Sequence, residues 1–68
     1  MFTEYLKKLV DRVDLTFDEA INAMELIMNG NTTSAQLASF ITALTMKGET
    51  VDEVAGMAFV MREKSLKI

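Results

Sequence analysis

The 68-residue sequence contains no cysteine, histidine, proline or tryptophan. Without cysteine there is no disulfide, and without cysteine or histidine no ordinary zinc site, to reinforce a small core. Nucleophile and base candidates reduce to Ser, Thr, Asp, Glu, Lys and the single Tyr5. Glycine is scarce: Gly30, Gly48 and Gly56 stand far apart, so no glycine-rich phosphate loop exists. No calcium-loop spacing occurs. No run reaches the ~18 apolar residues of a membrane helix, and the N-terminus lacks a charged region followed by an apolar one. Positive charge is also short. A net charge of −3 and a pI near 4.7 argue against a nucleic-acid partner. The reading at this level is a cytoplasmic protein with no nucleic-acid and no membrane partner.

What is present is apolar surface. Half the residues are hydrophobic and the mean hydropathy is +0.20, more than a solvated miniature of this length needs. The excess predicts burial against another protein surface.

The chain is punctuated by three helix starts at equal intervals. Thr16-x-x-Glu19, Thr33-x-x-Gln36 and Thr50-x-x-Glu53 each follow the last by 17 residues. In such a capping box the threonine oxygen accepts from the third helical N–H, and the Glu or Gln accepts from the cap's own N–H. Together with a segment before the first box, these predict an all-α fold, a small bundle of four short helices.

Segment one, roughly Thr3 to Val13, carries Phe2, Leu6, Leu9, Val10 and Val13 at helical spacing. Segment two follows Thr16, with Ile21, Met24 and Ile27 in its stripe and Asn29-Gly30 as its left-handed stop. Segment three runs from about Ser34 to Met46 and ends at Lys47-Gly48, with Leu37, Phe40, Ile41 and Leu44 as its core stripe. Segment four follows Thr50; Val54, Ala58 and Met61 form its expected core stripe, while Phe59 and Val60 spill onto the flanks. Gly56 in a helix interior costs about 1 kcal/mol against alanine, so close approach of another helix is expected there.

No catalytic, cofactor-binding or metal-binding residue emerges. The carboxylates Asp18, Glu19, Asp52 and Glu53 occupy first turns, where capping and the helix dipole account for them. Six methionines are many for this length; five lie in helical segments, mostly on or beside core stripes, where adaptable core filling explains them. Met46 is the exception. With Ala35, Ser39 and Thr42 it forms a second stripe on segment three, at i, i+4, i+7 and i+11, separate from the core stripe. Small side chains let a second helix approach, so Ala35, Ser39, Thr42 and Met46 are the candidate dimer interface.

The ordered set Leu15-Thr16-x-x-Glu19-Ala20, Ile27-Met28-x-Gly30, Gln36-Leu37-Ala38-x-Phe40-Ile41-x-Ala43-Leu44-x-Met46-Lys47-Gly48-Glu49-Thr50, Glu53-Val54-Ala55-Gly56 and Met61-Arg62 resembles the N-terminal helical domain of the anthranilate phosphoribosyltransferase family. Pyrimidine-nucleoside phosphorylases open with the same kind of domain. The Lys47-Gly48-Glu49-Thr50 turn with Glu53-Val54-Ala55-Gly56 favours the anthranilate branch. The resemblance covers almost the whole chain. It implies a homodimeric enzyme of tryptophan biosynthesis that transfers phosphoribosyl from 5-phosphoribosyl 1-diphosphate to anthranilate, with Mg²⁺ on the diphosphate. It further implies that residues 1–68 are the N-terminal helical domain, and that the large α/β domain with the diphosphate loop and metal carboxylates lies beyond this chain. Ending at Ile68 after Arg62-Glu63-Lys64, without a terminal glycine or polar tail, the sequence reads as interrupted. The alternatives are a pyrimidine-nucleoside phosphorylase N-terminal domain and a free-standing helical interaction module.

Overall fold

The computed structural model describes residues 1–65 and consists there of four helices: α1 (Phe2–Val10), α2 (Phe17–Met28), α3 (Ser34–Lys47) and α4 (Val51–Ser65). The chain end at Ile68 lies outside the described residues. All three capping boxes form as the spacing predicts. Thr16 Oγ1 accepts from Glu19 N–H at 3.1 Å, Thr33 Oγ1 from Gln36 N–H at 3.0 Å, and Thr50 Oγ1 from Glu53 N–H at 3.1 Å. Each reciprocal bond to the cap's own N–H measures 2.9 Å.

Segment one ends earlier than its apolar spacing predicts, at Val10 instead of Val13. Arg12 N–H donates to Leu9 C=O at 3.0 Å and Val13 N–H to Lys8 C=O at 2.7 Å, a Schellman stop. Arg12 holds the left-handed position, at φ +61°. A non-glycine residue there costs about 1–2 kcal/mol, and no glycine marks the stop in the sequence. Helix α2 closes with the same pair of bonds, Gly30 at φ +74° taking the left-handed position.

The helices pack as two pairs, α2 on α4 and α1 on α3, with α1 also meeting α2. The main core joins Phe2, Tyr5 and Leu9 of α1, Leu15 of the α1–α2 loop, Ala23 of α2, and Phe40 and Leu44 of α3. Phe2 and Phe40 stack at 5.2 Å between ring centroids. The α2–α4 contact is built from small residues. Ala20 and Ala23 are fully buried, and a Cβ placed on Gly56 would lie 2.7 Å from the Phe17 carbonyl oxygen and 2.8 Å from Ala20 Cβ. Gly56 is therefore where α4 touches the α2 backbone, as its helix-interior position predicts.

Several stripe residues face outward instead of inward. Leu9, Phe40 and Leu44 are buried, and Leu6, Ile21, Met24, Ile27 and Leu37 are half-buried. Val13 is exposed because the chain has already left the helix at Arg12. Ile41 is 55% exposed, since α1 reaches α3 along the Phe40/Leu44 line and stops short of the neighbouring one. The largest departure is α4. Val54, Ala58 and Met61 are exposed, while Glu53, Gly56 and Val60 face α2. The backbone approach at Gly56 fixes which side of α4 goes in, although the side left outside is the more apolar of the two.

Candidate functional site

Helix α3 presents the four candidate interface residues on its open side. Ala35, Ser39, Thr42 and Met46 are all exposed, Met46 at 68%. Ser39, Thr42 and Met46 line a cavity of about 430 Å³ between α3 and α1, whose opposite wall is Leu9 and Val10, with Arg12 at its end. Ala35 continues the same line of α3 but does not border the cavity. The small-residue line of α3 is legible from its period, whereas the α1 wall of the groove is not. Val10 lies at helical spacing with the apolar residues of segment one, yet it is exposed. Arg12 carried no signal, because its place follows from a left-handed turn that no glycine announces.

Close to this groove sits the most buried charge of the described residues. Glu53 is 0% exposed. One oxygen accepts from Leu15 N–H at 2.6 Å; the other accepts from Thr50 N–H and Lys47 Nζ, each at 2.9 Å. Lys47, with its side chain only 4% exposed, also donates to Asp14 Oδ1 and the Gly48 carbonyl oxygen, both at 2.8 Å. The pair ties the α1–α2 loop, at Asp14 and Leu15, to the α3–α4 turn. Burial pushes the Glu53 carboxyl up, but the Leu15 N–H, the Lys47 ammonium and the Thr50 N–H together hold it below the ordinary range. For Lys47 burial acts to lower the value, and Asp14 with Glu53 outweighs it, leaving the ammonium raised. Glu19 is also held low, first by the Lys8 side chain and then by Thr16 N–H.

This arrangement corrects the reading of Glu53 as a capping residue alone. The cap is real, but Leu15 lies 38 residues away in sequence and Lys47 approaches from the preceding helix. Glu19 likewise does more than cap, since it pairs with Lys8 across α1 and α2. Asp18 and Asp52 are exposed in first turns, as capping and dipole preferences predict.

The chemistry available here is structural. Every buried side-chain polar atom among the described residues has a hydrogen-bond partner, so Glu53 and Lys47 are committed to each other and to backbone. Among the described residues no group of three or more His, Cys, Asp or Glu is placed to hold a metal ion. None of the described helices is long and apolar enough to cross a membrane.

With this geometry in hand, comparison with known proteins is specific. A model of the glycosyl transferase family's helical bundle domain matches residues 3–65. The bifunctional protein TrpGD of Thermotoga maritima is 60% identical over 63 residues, covering 93% of this chain and 11% of that protein. The anthranilate phosphoribosyltransferase of Geobacter sulfurreducens is 52% identical over 68 residues, covering all of this chain and 19% of the relative. That of Chloroflexus aggregans is 55% identical over 65 residues, again 19% of its length. The chain thus spans a fifth or less of the curated relatives it matches.

Proposed function

Because the chain belongs to the glycosyl transferase family, as its helical bundle domain, we propose that it is the N-terminal helical domain of an anthranilate phosphoribosyltransferase. The observation that carries this reading is identity above one half, over 93–100% of the chain, to proteins bearing that name or the TrpGD name. The whole protein then transfers the phosphoribosyl group of 5-phosphoribosyl 1-diphosphate to anthranilate in the cytoplasm, in tryptophan biosynthesis.

The residues of this domain do not perform that chemistry. A diphosphate leaving group needs its developing charge neutralised by metal and oriented donors. The carboxylates here do not form a Mg²⁺ set: Glu53 is spent on Lys47 and two backbone N–H groups, and Glu19 on Lys8 and Thr16. The Mg²⁺ ligands and the diphosphate loop belong, in this reading, to a large α/β domain elsewhere in the protein. The helical domain supplies one wall of the substrate cleft and the homodimer contact. Ser39, Thr42 and Met46, facing Val10 across the α1–α3 groove, form with Ala35 on the same line of α3 a surface of small and apolar groups suited to a second copy. In a two-fold pair the same patch meets itself.

The test is direct. The protein made from the complete reading frame is expected to form phosphoribosylanthranilate in the presence of Mg²⁺, and the 68-residue chain to form none. Phosphorolysis of thymidine or uridine by the complete protein, without transfer to anthranilate, would overturn the assignment.

A further inference from the structure

The chain holds three asparagines, Asn22, Asn29 and Asn31, and of these Asn29 alone is followed by glycine. Asn29 caps the C-terminal end of α2 at φ −87° and ψ 3°, with Gly30 next at φ +74°. All three asparagines are exposed, so access does not separate them. Two features of Asn29 do. Gly30 has no Cβ to crowd an approach by its main-chain nitrogen, whereas Ala23 and Thr32 follow the other two. Asn29 Oδ1 also accepts from Lys64 Nζ at 2.9 Å, which brings a half-buried ammonium from the last turn of α4 to the end of α2.

We propose that Asn29 is a self-modification site, where the Gly30 main-chain nitrogen displaces the side-chain amide and leaves a carboxylate at the meeting of α2 and α4. The bond that forms joins Gly30 N to Asn29 Cγ. The bond that breaks is Cγ–Nδ2, and this nitrogen departs as ammonia, carrying the proton that Gly30 N gives up. Water then adds across one carbon–nitrogen bond of the five-membered ring. Water enters and ammonia leaves, with no oxidant and no second protein. During the addition negative charge gathers on Asn29 Oδ1, the atom that Lys64 already faces. A cationic donor aimed at an oxygen becoming an oxyanion lowers the barrier.

The fold sets the pace. Gly30 N–H donates to Ile27 C=O at 3.1 Å and Asn31 N–H to Leu26 C=O at 2.9 Å. At ψ 3° the Gly30 nitrogen does not eclipse Asn29 Cβ, as a flat ring requires. The α2 stop must therefore open before the ring can close, and helix ends are where such local opening costs least. Lys64 reaches in from α4, so opening of this stop alone leaves it at hand. The two products differ. Ring cleavage at Cγ gives aspartate, which keeps Lys64 as a partner but sets a negative charge at the negative end of the α2 dipole. Cleavage at the main-chain carbonyl gives isoaspartate, whose main chain is one CH2 longer inside the hydrogen-bonded stop, so the stop cannot re-form as it was.

The protein made from the complete reading frame is incubated folded in mildly alkaline buffer and, in parallel, unfolded in guanidinium chloride. Tandem mass spectrometry then reads Asn22, Asn29 and Asn31. The expected result is a gain of one mass unit at Asn29 first, slower in the folded protein by about tenfold or more because the stop must open. Lys64→Met should slow the folded reaction by about threefold or more and leave the unfolded one unchanged. Lys64→Arg, which keeps a cationic donor, should hold close to the parent rate. Asn29→Gln, which needs a larger ring, should gain no mass at that position. A folded protein that never gains the mass at Asn29 overturns the proposal, and so does conversion that begins at Asn22 or Asn31. Equal or faster reaction of folded Lys64→Met overturns it as well, since the Lys64 contact is then a clamp on the Asn29 side chain.

Discussion

Removing the Glu53 carboxylate is the sharpest test of how these helices are held. In Glu53→Ala, Leu15 N–H and Thr50 N–H lose acceptors at 2.6 and 2.9 Å, and Lys47, almost wholly buried, keeps only Asp14 and a carbonyl. Breaking a buried pair from one side typically costs about 3–5 kcal/mol, because the surviving charge stays desolvated. A domain of this length has about 3–10 kcal/mol in total, so the variant should be largely unfolded or close to it. Urea titration followed by far-UV circular dichroism measures the loss. With a slope of about 1 kcal/mol/M, the midpoint should fall by about 3 M or vanish. Adding Lys47→Met to Glu53→Ala should cost less than Lys47→Met does alone, since the ammonium is no longer left short of a partner. The pH profile carries a second signature. A carboxyl held below its ordinary 4.5 contributes stability that is fully present above that value and lost as pH falls through it. The parent's urea midpoint should therefore hold between neutrality and about pH 5, then drop, and Glu53→Gln should flatten most of that drop. Glu19 leaves a residual slope in the same direction. A Glu53→Ala loss under 1 kcal/mol, or an acid limb unchanged in Glu53→Gln, would refute the assignment of this pair as the tie between the two loops.

Met46→Asp should favour the monomer in sedimentation or light scattering while leaving the helical signal intact, because it places like charges in a self-paired contact on an exposed position; equal association by parent and variant would exclude α3. Gly56→Ala should destabilise the domain by about 1–3 kcal/mol despite alanine's better helix propensity, since its Cβ would meet Phe17 backbone and Ala20 at 2.7–2.8 Å. A stabilised Gly56→Ala in chemical denaturation would contradict the close α2–α4 contact. Leu44→Ala should cost about 2–5 kcal/mol through loss of a buried side chain in the α1–α3 core, read as a lowered urea midpoint. On the alkaline side, Lys47 is raised above 10.5, so its contribution is complete below that value and should disappear only above it.

What the sequence determined by itself is local. Each capping box needs two side chains three residues apart and nothing else, so Thr16, Thr33 and Thr50 declare their helices without reference to the rest of the chain. Gly30 likewise marks a left-handed stop through its own missing Cβ. Gly56 sits between these cases: its cost inside a helix was legible, and the contact that offsets it was inferable, although the partner helix was not. The tertiary structure decided the rest. The Schellman stop after α1 falls on Arg12, a residue type with no preference for it, because packing of Leu9 and Leu15 sets where the chain must turn. On α4 composition favours the side that ends up outside, Val51, Val54, Ala58 and Met61, and the approach to Ala20 and the demand of Leu15 N–H for an acceptor turn Glu53, Gly56 and Val60 inward. The same partition holds for the groove. The small-residue stripe of α3 could be read from its period, whereas its second wall depends on where α1 ends. Propensities and caps are properties of neighbours in sequence; burial belongs to whichever surfaces meet, and that is settled only when all four helices are in place.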